Sequence, residues 1–258
     1  MAGMKVYSLY SGSGGNCLYV EGEGARVLID AGKSARTLTS SLADIGVCPS
    51  AIDGIFITHE HSDHVSALST LSKKYGIPIH APAQTAKELC KKGEHVLGCI
   101  SSHEPIFSVS IGDLTVESFR TSHDSVCSVG YRIRSESGDS LGIMTDTGIV
   151  TNSAAAALVG CRRVVLEANH DIEMLKNGPY PYYLKERVAS RFGHLSNDLS
   201  ARFAAYLEAE GTEGFLLAHL SAENNTPELA LATVGGALRS DRTTILAAKQ
   251  DEMVKFDL

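Results

Sequence analysis

Apolar residues in the first quarter of the chain fall in short runs, and these runs predict β-strands. The predicted strands cover 5–10, 17–20, 26–30 and 54–58. Apolar positions at helical spacing predict two helices in the same region. One begins at the N-cap residue Ser34 and ends near Ile45, before Gly46, and the other covers 64–75, before Gly76.

The remainder of the chain returns to strand patterns and then alternates between helix and strand. Strands are predicted at 114–120, 127–134 and 141–145, with a hairpin turn at 137–140. The alternation that follows predicts helices near 151–159, 182–191, 197–209 and 227–238, and strands at 163–167, 214–218, 243–247 and 252–257. Two groups of strands with helices between and after them predict an α/β fold, an αββα sandwich with two mixed sheets between helical layers. Because no repeat or low-complexity linker divides the sequence, we expect residues 1–258 to form a single domain.

The composition is that of an ordinary globular protein. Of the 258 residues, 43% are hydrophobic and 21% are charged, and no apolar run is long enough to span a membrane. The N-terminus leads directly into the first strand pattern and lacks the apolar core of a secretory signal. The six cysteines include no Cys-x-x-Cys pair, which favours reduced thiols over a disulfide framework. We therefore expect a cytoplasmic protein without a membrane span, and the sequence defines no oligomeric state.

A dense cluster of metal-binding residue types follows the predicted strand at 54–58. Residues 58–64 read Thr-His-Glu-His-Ser-Asp-His. Imidazole is a good ligand for divalent metals, and a carboxylate adds charge compensation. Residues two apart in extended backbone project to the same side, so His59 and His61 can bind one ion while Asp63 and His64 reach a second. A solvated polar loop is the alternative, but such a loop gives crowded histidines no packing value.

Three further candidate ligands, His123, Asp146 and His219, each lie in the loop after a predicted strand. Loops at strand ends of an α/β sheet commonly form sites, because a rigid sheet directs several loops to one point. Alone, each histidine is typical of a surface group and Asp146 of a turn. With the first cluster they complete seven ligands for two ions. One ion takes His59, His61 and His123, the other takes Asp63, His64 and His219, and Asp146 bridges them.

The order of these residues resembles the metallo-β-lactamase superfamily. The His-x-His-x-Asp-His signature at 59–64 is followed by the other three ligands in the expected order, and the resemblance extends over nearly the whole chain. The segments 8–17, 166–171 and 193–197 resemble the bacterial YycJ/WalJ-type branch, which is associated with DNA exonuclease activity. A weaker similarity to tRNase Z and the β-CASP nucleases lies in His194-Leu195-Ser196 and the segment 217–221.

This resemblance implies an αββα sandwich with two divalent metal ions, zinc or manganese, and a phosphodiesterase reaction on nucleic acid. A DNA exonuclease is the favoured activity. Two other classes stay open. A small-molecule hydrolase of the same fold, acting on a thioester or lactone, would use the same ions but would not need His194-Leu195-Ser196. A non-catalytic, regulatory role is disfavoured by the complete ligand set.

Phosphodiester chemistry assigns roles to two candidate catalytic residues. Two divalent ions about 3.5–4 Å apart can hold a hydroxide and stabilise both the attacking and the leaving oxygens. Asp63 contributes to catalysis as one of their ligands. The leaving oxygen needs a proton, and His194 is the candidate donor, since it lies outside the ligand set and a histidine can donate near pH 7. The alternative is that His194 is a helix-entry residue packed under Ser196.

Candidate substrate contacts lie in two segments. The turn at 11–16 has free amides that can contact phosphate, and Ser13 and Asn16 are its candidate residues. The candidates after His194 are Ser196 and Asn197. We expect Asp30 to orient a ligand histidine, and Glu167 stays open between a supporting contact and a solvated acid. The histidines interpreted as structural are His80, His95, His103 and His170.

The charge of the chain bears on the predicted substrate. A net charge of −7 is unfavourable for a nucleic-acid binder. Residues 176–202, however, contain five bases and two acids, together with three tyrosines that can stack on nucleobases if they are exposed. A solvated amphipathic helix pair is the alternative interpretation of this segment. Because bound metals add positive charge that the net figure omits, the acidity does not exclude a nuclease.

Overall fold

The computed structural model describes residues 3–257, in which two seven-stranded β-sheets pack between helical layers. The strands are β1 (Lys5–Tyr10), β2 (Cys17–Glu21), β3 (Arg26–Ile29), β4 (Gly54–Phe56), β5 (Ile79–Pro82), β6 (Ile100–His103), β7 (Ser108–Ile111), β8 (Leu114–Arg120), β9 (Val129–Ser135), β10 (Ser140–Met144), β11 (Arg163–Glu167), β12 (Gly214–Ala218), β13 (Thr244–Ala247) and β14 (Val254–Lys255). The α-helices are α1 (Ala35–Asp44), α2 (Ser62–Val65), α3 (Leu68–Tyr75), α4 (Ala83–Cys90), α5 (Glu94–Leu97), α6 (Asn152–Leu158), α7 (Ile172–Asn177), α8 (Tyr182–Ala189), α9 (Asn197–Ala209) and α10 (Pro227–Gly235).

Both sheets are mixed, and each joins an antiparallel part to a parallel part. The first sheet has the order β14-β1-β2-β3-β4-β5-β6, with antiparallel pairing up to β3 and parallel pairing beyond it. The second has the order β13-β12-β11-β10-β9-β8-β7, with parallel pairing from β13 to β10 and antiparallel pairing beyond it. Parallel strands present their carboxyl ends, and the loops that follow them, at a common edge.

Three hydrophobic clusters hold the layers together. The cluster between the sheets joins residues such as Phe56 of the first sheet to Tyr131 and Val165 of the second. A second cluster packs α1, α3 and α4 on the first sheet, and a third packs α6, α9 and α10 on the second sheet. Strands of the parallel part are apolar throughout because both of their faces are covered, as in β12, where every residue is buried. The predicted αββα sandwich of two mixed sheets is confirmed.

The predicted strands agree with the structure, and one helix prediction is partly wrong. The Ser34 side chain accepts a hydrogen bond from the Thr37 amide at 3.1 Å and caps α1 as predicted. The helix predicted over 64–75 is instead split into α2 and α3. The helix is interrupted between Val65 and Leu68, because the backbone there bonds to Ala31 instead. The Ala31 amide donates to the His64 carbonyl oxygen at 2.7 Å, and the Ala67 amide donates to the Ala31 carbonyl oxygen at 2.9 Å. Within residues 3–257, no helix combines the length and the apolar character needed to cross a bilayer.

Candidate metal centre

The seven predicted ligands follow strand ends and converge on one point. His59 begins the cluster after β4, and His123, Asp146 and His219 follow β8, β10 and β12. In each of two triads, one possible ligand atom of each residue lies within 4.8 Å of the others. The triads are His59, His61 and His123, and Asp63, His64 and His219. Asp146 belongs to a further such group with His59 and His64 and to another with His219, so it lies beside both triads.

Outer contacts orient the histidine rings of the cluster. Nδ1 of His64 lies 2.7 Å from Oδ2 of Asp30, and Nδ1 of His123 lies 3.2 Å from the Gly193 carbonyl oxygen. Their Nε2 atoms are directed inward, at 3.5 Å and 3.9 Å from the Asp146 carboxylate. Metal-binding histidines commonly use one ring nitrogen for the ion and hold the other with a carboxylate or carbonyl. The expected contact between Asp30 and a ligand histidine is present in the structure.

Three residues of the site have left-handed backbone conformations. Asp30, Asp146 and His219 have φ values of 63°, 55° and 56°, and Lys33 is the only other non-glycine residue with positive φ within residues 3–257. Such a conformation costs about 1–3 kcal/mol for a residue with a side chain. This strain is concentrated where strands end at the cluster, which indicates that the loops are shaped for the position of their side chains rather than for stability.

Burial and charge oppose each other in the cluster. Burial disfavours the Asp146 carboxylate, but His219, His64 and His59 outweigh it and hold its pKa well below the usual value. Burial likewise disfavours a charged His64, but Asp146 and Asp30 raise its pKa well above the usual value. For His59, burial and the nearby His64 lower the pKa well below the usual value. The Asp146 carboxylate is therefore favoured in its ionised form by the positive charge beside it.

The unpaired atoms of the cluster fit a metal site. Oδ2 of Asp146 and Nε2 of His219 are buried and have no hydrogen-bond partner within residues 3–257. A buried polar atom without a partner costs about 1–3 kcal/mol. A divalent cation would satisfy both atoms and replace the positive charge of protonated histidines. Imidazole nitrogens with carboxylate oxygens are a donor set suited to zinc or manganese.

His194 lies at the edge of the cluster in the loop between α8 and α9. Its ring is 5.1 Å from those of His123 and His219, between centroids. This loop can lie against the segment after Asp146 because Gly148 has no side chain. A Cβ atom on Gly148 would lie 2.2 Å from the carbonyl oxygen of Ser190, at the start of the loop. His194 also shares a possible metal-binding group with Asp146, Glu167 and His219, so a ligand role is an alternative to proton donation.

Glu167 is a supporting residue that sequence reasoning left open. It is fully buried at the end of β11, and its Oε1 lies 2.7 Å from Nδ1 of His194. Its other oxygen accepts a hydrogen bond from the Thr147 amide at 2.9 Å. Burial disfavours its charge, but His194 and His219 outweigh it and lower the pKa of the carboxyl. Glu167 is thus a charged contact that holds the Asp146 and His194 loops together, not a solvated acid.

The four predicted substrate residues differ in their surroundings. Ser13 is exposed on its turn, whereas Asn16 is buried, closes that turn through the Gly12 backbone and lies 3.2 Å from Nε2 of His64. Ser196 caps α9, and its hydroxyl accepts from the Leu199 amide at 3.3 Å.

The prediction for Asn197 is corrected. Its side chain has no exposed surface and pairs with Asn225 through two hydrogen bonds of 3.0 Å and 2.9 Å. It therefore offers nothing to a substrate in this structure.

The histidines interpreted as structural belong to neither triad, and one of them, His170, is buried and lines a cavity together with His194. His80 and His103 hydrogen-bond to each other at 3.0 Å on neighbouring strands, and His95 is exposed. Within the basic segment 176–202, the helix α8 has no buried residue and forms an exposed surface, whereas residues 195–197 are buried. Tyr182 and Tyr183 are 75% and 72% exposed, so the condition for base stacking is met at these two positions.

Two mixed sheets between helical layers, with histidines and aspartates clustered at their strand ends, define a metallo-β-lactamase-fold protein whose residues can hold divalent metal ions. The sequence from 25 to 219 matches the family described as a β-lactamase superfamily domain. The chain is 39% identical over 237 residues to exodeoxyribonuclease WalJ of Streptococcus pneumoniae, covering 90% of this chain and 87% of WalJ. It is 36% identical over 241 residues to exodeoxyribonuclease YycJ of Bacillus anthracis, covering 92% of this chain and 89% of YycJ.

The chain belongs to the β-lactamase superfamily and, within it, to the family that includes WalJ and YycJ. A solved structure shares the fold at lower sequence identity. The metallo-β-lactamase fold protein YhfI of Bacillus subtilis has a TM-score of 0.77 at 17% identity, with 99% of this chain and 100% of YhfI covered. The resemblance read from the ligand order and the branch segments is confirmed by these comparisons.

Proposed function

We propose that this protein is a dinuclear metal-dependent exonuclease that hydrolyses phosphodiester bonds of DNA. The observation that carries the proposal is the place of His194, beside the ligand cluster and held by the buried Glu167 at 2.7 Å. Metal-binding residues alone would serve any hydrolase of this fold. A phosphodiester, however, has an alkoxide leaving group that needs a proton, and a positioned histidine supplies one. The names of WalJ and YycJ support DNA as the substrate and removal from an end as the mode of cleavage.

The roles of the cluster residues are part of the proposal. Two divalent ions, when bound, would supply Lewis-acid stabilisation of the phosphate and a nucleophile at neutral pH. His59, His61 and His123 would hold one ion, Asp63, His64 and His219 the other, and Asp146 would contact both. Asp30 fixes the ring of His64 so that its Nε2 faces the cluster.

His194 and Glu167 would provide the proton for the leaving oxygen. Since Nδ1 of His194 is engaged by Oε1 of Glu167, Nε2 is left to hold the proton and release it. The contact with Glu167 would also fix the orientation of the ring during the transfer. Because the carboxylate is fully buried, water weakens its contact with His194 less than it weakens a contact at the surface.

The setting of the reaction also belongs to the proposal. All six cysteines are free thiols, as in proteins of a reducing compartment such as the cytoplasm. We further propose that residues 1–258 act as one domain, with zinc or manganese as the metal.

One assay tests the proposed function. Purified protein loaded with Mn(II) or Zn(II) is offered end-labelled single- and double-stranded DNA and RNA. We expect DNA to be shortened from an end with release of mononucleotides, and His61→Ala to abolish the release. If every nucleic acid stays intact while thioesters or lactones are turned over, the protein is a small-molecule hydrolase instead.

A further inference from the structure

A cavity of about 640 Å³ lies beside the candidate metal centre and is lined by residues of α7, α8 and α9. His194 lines both the cavity and the centre, and Gly148, two residues after Asp146, also lines it. A group bound there therefore lies next to the phosphate that His194 would serve. The volume is typical of sites that take small organic groups, which span about 300–1,000 Å³.

Large apolar side chains line this cavity and remain exposed. Tyr182 is 75% exposed, Ile172 is 48% exposed and Leu199 is 39% exposed, and they come from three different helices. Exposed apolar groups that converge on one concave surface indicate a binding site, because water covers them at a cost in free energy. An aromatic ring with aliphatic neighbours suits a flat apolar ligand, such as the face of a nucleobase.

The cavity also has charged lining residues. The charged lining residues are three basic ones, Lys176, Lys185 and Arg202, and two acidic ones, Glu186 and Asp198. Lys185 donates to the Lys176 carbonyl oxygen at 2.8 Å, whereas Arg202 has no ion-pair partner within residues 3–257. Arg202 is therefore available to a phosphate.

His170 gives the cavity a neutral hydrogen-bonding group. Only 3% of it is exposed, and its buried Nδ1 has no hydrogen-bond partner among the described residues. Burial lowers the pKa of His170 to about 4, so the ring is neutral at pH 7 and offers one donor and one acceptor. Such a group matches the mixed donors and acceptors on the edge of a base better than it matches an anion.

We propose that this cavity, the base pocket, binds one unstacked nucleobase of the nucleotide next to the scissile phosphate. The proposal rests on the proposed function and names the form of its substrate, a single-stranded or frayed DNA end. Tyr182 and Leu199 would contact the faces of the base, His170 its edge, and Arg202 a neighbouring phosphate. A base inside a duplex must leave its stack to enter, and this costs least at an unpaired or mismatched end.

The first test compares substrates with and without a base. An abasic residue is placed on either side of the first scissile bond of a single-stranded DNA, and kcat/KM is measured with metal-loaded protein. We expect the abasic residue to lower kcat/KM by about tenfold or more on one side of the bond, the usual size of a stacking contact. Tyr182→Ala should shrink this penalty, whereas Tyr183→Ala, equally exposed but outside the lining, should keep it. Equal cleavage of both substrates by the unaltered protein would overturn the base pocket.

A second test needs no catalysis and separates this proposal from the proposed function. Metal-free protein is titrated with a short single-stranded DNA that has either a terminal base or a terminal abasic residue. We expect tighter binding of the DNA with the base, and loss of the difference in Ala189→Phe, which fills the cavity from its exposed rim. Base-dependent binding without cleavage of any nucleic acid would support the pocket and reject the nuclease. Cleavage without base-dependent binding would support the nuclease and reject the pocket.

Discussion

Glu167 holds His194 at the edge of the candidate metal centre, with 2.7 Å between Oε1 and Nδ1. The glutamate is fully buried, whereas the histidine side chain is 19% exposed. A buried carboxylate thus positions a ring that substrate can still reach. The same carboxylate binds the amide of Thr147, the residue after Asp146, so ring and ligand loop are fixed relative to each other.

The first prediction concerns the proton donor. His194→Ala should lower kcat on DNA by about 10²-fold or more, the usual contribution of a positioned acid. The loss should be smaller for a p-nitrophenyl phosphodiester, whose leaving group needs little protonation. Metal content, measured by elemental analysis, should stay unchanged.

The controls for His194 separate three roles. His95→Ala removes an exposed histidine far along the chain and should change neither rate. Loss of metal in His194→Ala would make His194 a ligand, in line with its place in a group with Asp146 and His219. Equal losses on good and poor leaving groups would point to phosphate binding, and no loss on either would leave it a helix-entry residue.

The second prediction concerns the metals. We expect two ions per chain after reconstitution, about one in Asp63→Ala, and fewer than one in Asp146→Ala, because Asp146 lies beside both triads. Loading should also raise the melting temperature, since a ligand that binds only the folded state at a hundred times its Kd adds about 2.7 kcal/mol. An intact fold with no stoichiometric metal would reject the dinuclear centre.

Much of the fold could be predicted from the sequence, but the short helix α7 and the elements between 77 and 113 could not. The apolar strands and the cap at Ser34 are encoded by local patterns that the structure reproduces. Between 77 and 113 the elements β5, α4, α5, β6 and β7 were not assigned. The strands there are four residues long. β6 and β7 have no buried residue, and His80 interrupts the apolar residues of the buried strand β5, so no continuous apolar run marks them.

The site was predictable where its chemistry is concentrated in residue types. Seven ligands in a recognisable order converge in the structure, although their roles stay a prediction. The support from Glu167 was not predictable, because a glutamate at a strand end reads equally as a solvated acid until its burial is known. For Asn197 the sequence predicts a substrate contact, whereas the structure shows a buried supporting residue. Its amide pairs with the Asn225 side chain inside the protein, and Asn225 lies in the loop before α10, 28 residues further along the chain, so the local sequence around Asn197 does not indicate this contact.

The third prediction concerns a buried ion pair far from the centre. The Arg163 guanidinium is 2% exposed and binds Asp139 together with the carbonyl oxygens of Met4 and Phe256. Asp139→Ala leaves this charge unpaired and should lower the free energy of unfolding by about 3–5 kcal/mol, measured by urea denaturation. Glu117→Ala breaks an exposed pair with Arg134 and should cost about 1 kcal/mol or less. Similar losses in the two variants would contradict the proposed role of burial.

The last prediction is a dependence of stability on pH that arises at His80. Burial and the neighbouring His103 lower the pKa of His80 to about 4, below the value of about 6.5 for an unfolded chain. Between these values the unfolded state binds the additional proton, so the free energy of unfolding falls as pH drops from about 6.5 to about 4. Above pH 6.5 the ring is neutral in both states and contributes no slope.

Replacement of His80 by an apolar ring should remove this contribution. His80 stacks on Phe56 with 4.7 Å between ring centroids, so His80→Phe keeps the packing of the sheet while it removes the titrating group. As pH is lowered from 7 to 5, we expect the free energy of unfolding of this variant to rise relative to that of the unaltered protein, measured by urea denaturation. Titrating histidines other than His103, which hydrogen-bonds to His80, keep their surroundings in both proteins and cancel in the difference. His95→Gln, at an exposed position, should follow the unaltered protein at every pH. Parallel curves for His80→Phe and the unaltered protein would show that His80 is as readily protonated in the folded state as in the unfolded chain.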